Sequence, residues 1–368
     1  MNRRSFLMTT TAISAIGALT ILSGQARAQS VPWADGRRWR SFEVTTRIEV
    51  AKPEGVTRVW LPLPLAAATD WFTTFSNSWS GNAASAKMVA LSKYDAAMMY
   101  ADWSAGTEFP TIEVVSLFAT RDRAVDWTNP GKVAPVEKAV LARYLEPTDH
   151  IPTDGIVRDT ALKVTKGARD NTGKARAIYD WIVNNTFRDP ETRGCGIGDI
   201  KGMLESGNLG GKCADLSALF VGLARAAGVP ARDVYGVRVA PSQWGYRSLG
   251  AGSSDITRAQ HCRAEFYSHA LGWVPVDPAD VRKVMLEEPP GNLSILHDKV
   301  RLARAKLFGA WEMNWLAYNY AQDVALPSGS GEKIGFLMYP QCETASGRKD
   351  SLDPDHFKYQ ISAKEITA

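Results

Sequence analysis

Residues 213–227 limit the possible folds of this chain more than any other stretch. Leu216, Leu219, Phe220 and Leu223 recur at helical spacing behind Cys213, which predicts an amphipathic helix from Cys213 to Ala227. Gly228 and Pro230 follow in the order that ends a helix. Strands are predicted next, over 231–239, 262–267 and 273–276. Helix first and sheet afterwards is an α+β pattern rather than an alternating βαβ one.

Upstream, Thr172-Gly173-Lys174 predicts the start of a second helix running to about Asn185, with Thr172 as N-cap and Ile178, Trp181, Ile182 and Asn185 facing inward. Between the two helices, residues 190–212 hold seven glycines, which lets backbone come close to another group. Residues 38–128 read as an antiparallel β domain of the sandwich kind, with strands at 41–50, 57–61 and 111–120. Residues 129–150 read as a connector with a short helical piece. The central unit spans about 150–290. A C-terminal extension, 291–368, is predicted to hold an aromatic helix at 308–323, with Trp311, Trp315 and Tyr318 packed on the core. Residues 334–340 and 357–362 are predicted to pair as a terminal hairpin.

The chain of 368 residues carries 43 basic and 39 acidic side chains. That scattered, near-balanced charge gives no nucleic-acid surface. Arg3-Arg4-Ser5-Phe6-Leu7, a mildly apolar run, and Ala26-Arg27-Ala28 read as a twin-arginine signal cleaved after Ala28. The run is short and polar for a span of about 20 apolar residues. The expected mature protein is periplasmic or otherwise extracytoplasmic, with no stable membrane insertion. The pairing of Cys195, Cys262 and Cys342 is left open by the sequence.

Cys213 stands where a helix start would favour a thiolate, through unpaired N–H groups and partial positive charge. Lys212 adds charge, and the Cys213 N–H could stabilise an oxyanion. Asp215, one turn in, opposes the thiolate unless its side chain points away or caps the helix. A thiol of this kind needs a base, and the base needs an orienting group. A hairpin centred on residue 269 sets His261 directly opposite Asp277 on one face, and alternation sends Cys262 to the other face for packing. Arg263 and Glu265 share the His261 face and read as structural charges. A zinc site on Cys213 and His261 lacks a second close ligand pair, so no metal or organic cofactor is expected.

Three ordered blocks carry a family likeness: Gly211-Lys212-Cys213-Ala214-Asp215, then His261-Cys262-Arg263-Ala264-Glu265-Phe266-Tyr267, then Trp273-Val274-Pro275-Val276-Asp277-Pro278. Together with the segment 174–181 and Gly228-Val229-Pro230-Ala231-Arg232, they resemble the transglutaminase-like superfamily over about residues 170–280. The resemblance implies a papain-like core behind the β domain. It also implies a catalytic triad of Cys213, His261 and Asp277, and thiol attack on a peptide or protein amide. Cys262 and Arg263 depart from the family's usual residues, and the second oxyanion donor has only Trp181 and Asn208 as candidates.

Overall fold

The computed structural model describes residues 38–94, 96–128 and 133–366. The signal expected at 1–28 lies outside the described residues. The fold mixes helices with sheets that are mainly antiparallel. Among the described residues, no helix is long and apolar enough to cross a membrane.

Two antiparallel sheets share one apolar cluster. The first runs in the order Lys358–Ile366, Arg40–Glu49, Thr111–Thr120, Phe72–Gly81. The second runs Gly347–Lys349, Gln341–Thr344, Thr57–Pro62, Ala96–Trp103, Ser85–Leu91. Ile48, Ile112 and Val114 from the first sheet meet Val59, Leu61, Met99 and Trp103 from the second, the face-to-face burial that defines a sandwich. Phe72–Gly81 escaped the sequence reading because it is an edge strand rich in serine and threonine, exposed over its second half.

Behind the sandwich, helix Cys213–Ala226 packs on a four-stranded antiparallel sheet ordered Gly272–Val276, Gln260–Ser268, Ala231–Arg238, Trp315–Asn319. Every residue from Cys213 to Arg225 is buried, so the helix is enclosed rather than amphipathic. Leu219, Phe220 and Leu223 pack with Ile178, Ile182, Phe266 and Val274. Cys213, Ala214 and Leu216 lie in a separate cluster with Met338 and Tyr339 from the C-terminal region. That second cover is supplied from more than a hundred residues downstream, and helical spacing cannot reveal it. The helix ends at Gly228, whose φ of +80° suits a residue without a Cβ.

Three readings need correction. Residues 308–323 form no helix: Ala310–Trp311, Trp315–Asn319 and Gln322–Ala325 are strands. All five residues of Trp315–Asn319 are buried, so no alternation shows, and the i, i+4, i+7 spacing of the aromatic rings is coincidental. The terminal hairpin is also absent. Lys333–Phe336 pairs with Gln322–Ala325, and Lys358–Ile366 pairs with Arg40–Glu49 in the register Ser41↔Ile366. Finally, helix Asn171–Asn185 is capped by Asp170, whose carboxylate accepts from the Gly173 N–H at 2.8 Å. Thr172 instead hydrogen-bonds Ser268.

The C-terminal region is thus part of the core. Leu337 is fully buried among residues of both sequence halves. Leu337→Ala is expected to cost about 2–5 kcal/mol in urea unfolding, and a cost near that of a surface substitution would refute this packing role.

Candidate functional site

The residues converge because three chain segments end at one point. Cys213 is the first residue of its helix, with Lys212 as N-cap. His261 is the second residue of strand Gln260–Ser268. Asp277 follows strand Gly272–Val276 and caps helix Pro278–Glu287, its Oδ1 accepting from the Asp280 N–H at 2.8 Å. All three side chains are buried.

His261 Nε2 lies 2.8 Å from Asp277 Oδ2 and 3.4 Å from Asp280 Oδ1. The hairpin delivers this contact in a register one step from the expected one. Ser268 pairs with Gly272, and Ala264 with Val276, so the centre is residue 270. A three-residue turn closes at Gly272, whose φ is +70°. Extended by that register, the position opposite Asp277 is Arg263, with His261 on the diagonal of the same face. Parity survives the shift, and Arg263 Nε stands 3.6 Å from Asp277 Oδ2.

With Nε2 held by carboxylates, Nδ1 is the ring nitrogen left for the thiol. Burial and Arg238 push the imidazolium toward losing its proton. Asp280 and Asp277 outweigh them, and the His261 pKa is pushed up to about 10. Hydrogen bonds with the Cys195 and Cys262 thiols hold the Cys213 thiol well below its ordinary pKa against burial, with His261 adding to the effect. A thiolate beside an imidazolium is the charge state these neighbours favour.

Asp215 caps the helix start, an orientation the sequence left open, while burial, with Cys213 adding to it, pushes its carboxyl up. Its Oδ1 accepts from the Ile197 and Gly198 N–H groups at 3.1 and 2.9 Å, and its Oδ2 from the Lys212 N–H at 3.0 Å. The carboxylate therefore faces the glycine-rich segment and pins it. A Cβ on Gly196, which has φ +90°, would sit 1.8 Å from Asp215 Oδ2, so only glycine passes there. The pinned loop presents the Cys195 carbonyl to the Ala214 N–H at 2.9 Å.

Cys262 takes the packing place expected of it. Its strand face is the one the helix covers, so its thiol joins Cys195, Cys213 and Met338 in one cluster, with Sγ 3.7 Å from Met338 Sδ. It is both packing and a neighbour of the nucleophile. All four cysteines are unpaired thiols. Arg263 and Glu265 do not pair with each other. Arg263 lies 4.7 Å above the Trp315 ring and donates to the Glu312 carbonyl at 2.9 Å. Glu265 meets Arg123 and Arg232.

A cleft of about 700 Å³ opens on this point, lined by Cys195, Lys212, Cys213, Arg238, His261 and Tyr339 among others. Trp181 and Asn208 do not line it. Trp181 packs in the helical core, and Asn208 accepts from the Gly210 N–H. Tyr339 does line it: its hydroxyl accepts from the Cys195 N–H at 2.9 Å and keeps its own proton to donate. Tyr339, Cys195, Arg238 and Asp280 were missed by the sequence reading. Asp280 alone had a signal, since a carboxylate three residues past a helix-capping aspartate points back to the helix start. His261, Asp277 and Asp280 bring ligand-type atoms within 4.8 Å of one another. Arg238, 2.6 Å from Asp280, and Arg263 already balance those carboxylates.

Residues 158–278 match the family model of the transglutaminase-like superfamily. A Haemophilus influenzae protein described only as uncharacterized is 36% identical over 345 residues, covering 88% of this chain and 91% of its own length. Two solved structures resemble this one. A provisionally assigned cysteine protease from Cytophaga hutchinsonii has 16% identity and a TM-score of 0.49, over 89% of this chain and 98% of that one. The periplasmic domain of TgpA from Pseudomonas aeruginosa has 15% identity and a TM-score of 0.33, over 69% of this chain and 93% of that one.

Asp280 carries a charge that favours the imidazolium, so Asp280→Asn is expected to lower the His261 pKa and raise that of Cys213. The ultraviolet absorbance of the thiolate reads this as a titration displaced to higher pH than in wild type; an unchanged curve would show that Asp280 has no electrostatic role.

Proposed function

Because the chain belongs to the transglutaminase-like superfamily, we propose that it is an exported, cysteine-dependent acyl-transfer enzyme acting on peptide or protein amides. The observation that carries this reading is the convergence of a helix-start thiol, a buried imidazole and a buried carboxylate beside one cleft. Export rests on the paired arginines and the Ala26-Arg27-Ala28 site of the leader, and it places the enzyme in the periplasm or a comparable compartment.

In this reading the Cys213 thiolate attacks the amide carbonyl. The Cys213 N–H, one of the helix's unpaired first amides, faces the developing oxyanion. His261 gives its proton to the departing amine, leaving a thioester on Cys213. Water or a second amine then attacks the thioester, and His261 takes up the proton it releases. Asp277 holds Nε2–H throughout, which fixes the ring's tautomer and stabilises its charged form. None of these steps calls for a metal or an organic cofactor. Peptidase and cross-linking chemistry share every step before the acceptor arrives.

A thiol-reactive probe should label Cys213 below neutral pH, and His261→Ala should abolish that labelling. Equal labelling of the two proteins would turn the reading toward a non-catalytic scaffold. With activity in hand, ammonia release measured beside amine incorporation assigns the acceptor.

A further inference from the structure

The cleft is far more basic than the chain that forms it. Basic and acidic residues nearly balance overall, 43 against 39. Yet Arg188, Arg193, Lys212, Arg238, Arg258 and Lys283 line the cleft, against a single acidic lining residue, Asp255.

Internal partners do not cancel this charge. Arg238 is engaged by Asp280 at 2.6 Å. Arg193 meets Asp350 at the exposed rim. Arg258 adds to the hydrogen bonds from Thr257 that keep the Asp255 carboxyl low. Arg188 and Lys283, however, share one carboxylate, Glu287. Lys212 Nζ bonds only a neutral group, the Thr192 carbonyl, at 2.6 Å. Burial, and then Arg188, pushes the Lys283 ammonium below its ordinary pKa, as expected where cations crowd.

Three of these cations form one wall beside the nucleophile. Arg188 pairs with Gly211 in a short parallel bridge, Lys212 is next in sequence, and Cys213 follows. Lys283 comes from helix Pro278–Glu287, which packs against that bridge. The side chains of Arg188 and Lys283 are only 14% and 18% exposed. Holding two largely buried cations on one carboxylate, with Lys212 beside them on a neutral carbonyl, is costly unless a further anion completes the set.

We propose that the acyl donor is anionic: a peptide carrying carboxylates beside the bond that Cys213 attacks, docked against Arg188, Lys212 and Lys283. The proposal rests on the acyl-transfer reading for the place of that bond. A cleft of about 700 Å³ and a near-balanced overall charge suit a peptide segment rather than a nucleic acid, whose recognition needs an extended basic face.

The test uses the mature Cys213→Ala protein and three fluorescent peptides, identical except that a central glutamine is flanked by glutamates, serines or lysines. Anisotropy should show the glutamate peptide binding about tenfold tighter than the serine peptide, and the lysine peptide weakest. The preference should fade as sodium chloride rises from about 0.05 to about 0.5 M. Lys212→Gln in the same background should remove most of it, with circular dichroism confirming the fold. Equal binding of the three peptides, no binding by any of them, or stronger binding of an oligonucleotide than of the glutamate peptide would overturn the proposal. Its failure stays separate from that of the catalytic reading, because His261-dependent labelling of Cys213 can persist without any charge preference.

Discussion

The helix that begins at Cys213 is buried around its whole circumference. Water cannot complete its first turn, so protein groups must satisfy or exploit every free amide there. Asp215 turns back to hold three amides of the glycine-rich segment and the N-cap. The Cys195 carbonyl takes the Ala214 N–H. The Cys213 residue is left lining the cleft. Enclosure of the helix thus sets the shape of the loop before it, and that loop sets the shape of the site.

Charge follows the same logic. Arg238, Asp280, His261, Asp277 and Arg263 form a buried sequence of alternating sign. No member could be buried alone without a large desolvation cost, and each is held by the next. The imidazole between two carboxylates favours its charged form; Arg238 and then His261 hold the Asp280 carboxyl well below its ordinary range against burial, while burial and Asp280 push the Asp277 carboxyl up. The order of charges depends on where strand Gly272–Val276 stops, because Asp277 and Asp280 belong to the helix that starts there.

Much of this was legible in the residues because it rests on local rules. The Cys213 helix, its glycine stop and the strands that follow obey spacing and turn preferences within a few residues. The shared face of His261 and Asp277 follows from strand parity, which tolerates a centre displaced from residue 269 to 270. The displacement itself depends on the left-handed backbone at Gly272, one of many glycines in the chain. Trp315–Asn319 was misread because a strand buried on both faces has no alternation to show. The partners of Lys358–Ile366 and of Met338 were invisible for a simpler reason: pairing between segments far apart in the chain leaves no mark on either segment. Tyr339 and Cys195 belong to this class, which is why they entered the site only with the fold.

The pairing of Lys358–Ile366 with Arg40–Glu49 has a consequence for biosynthesis. Among the described residues, strand Arg40–Glu49 waits for strand Lys358–Ile366, and the cover over the Cys213 face of the helix comes from Met338 and Tyr339, also downstream. A nascent chain still lacking its final residues therefore keeps that helix face bare and its thiol without a finished cleft. Completing the site therefore includes the entropic cost of closing a loop across most of the described chain.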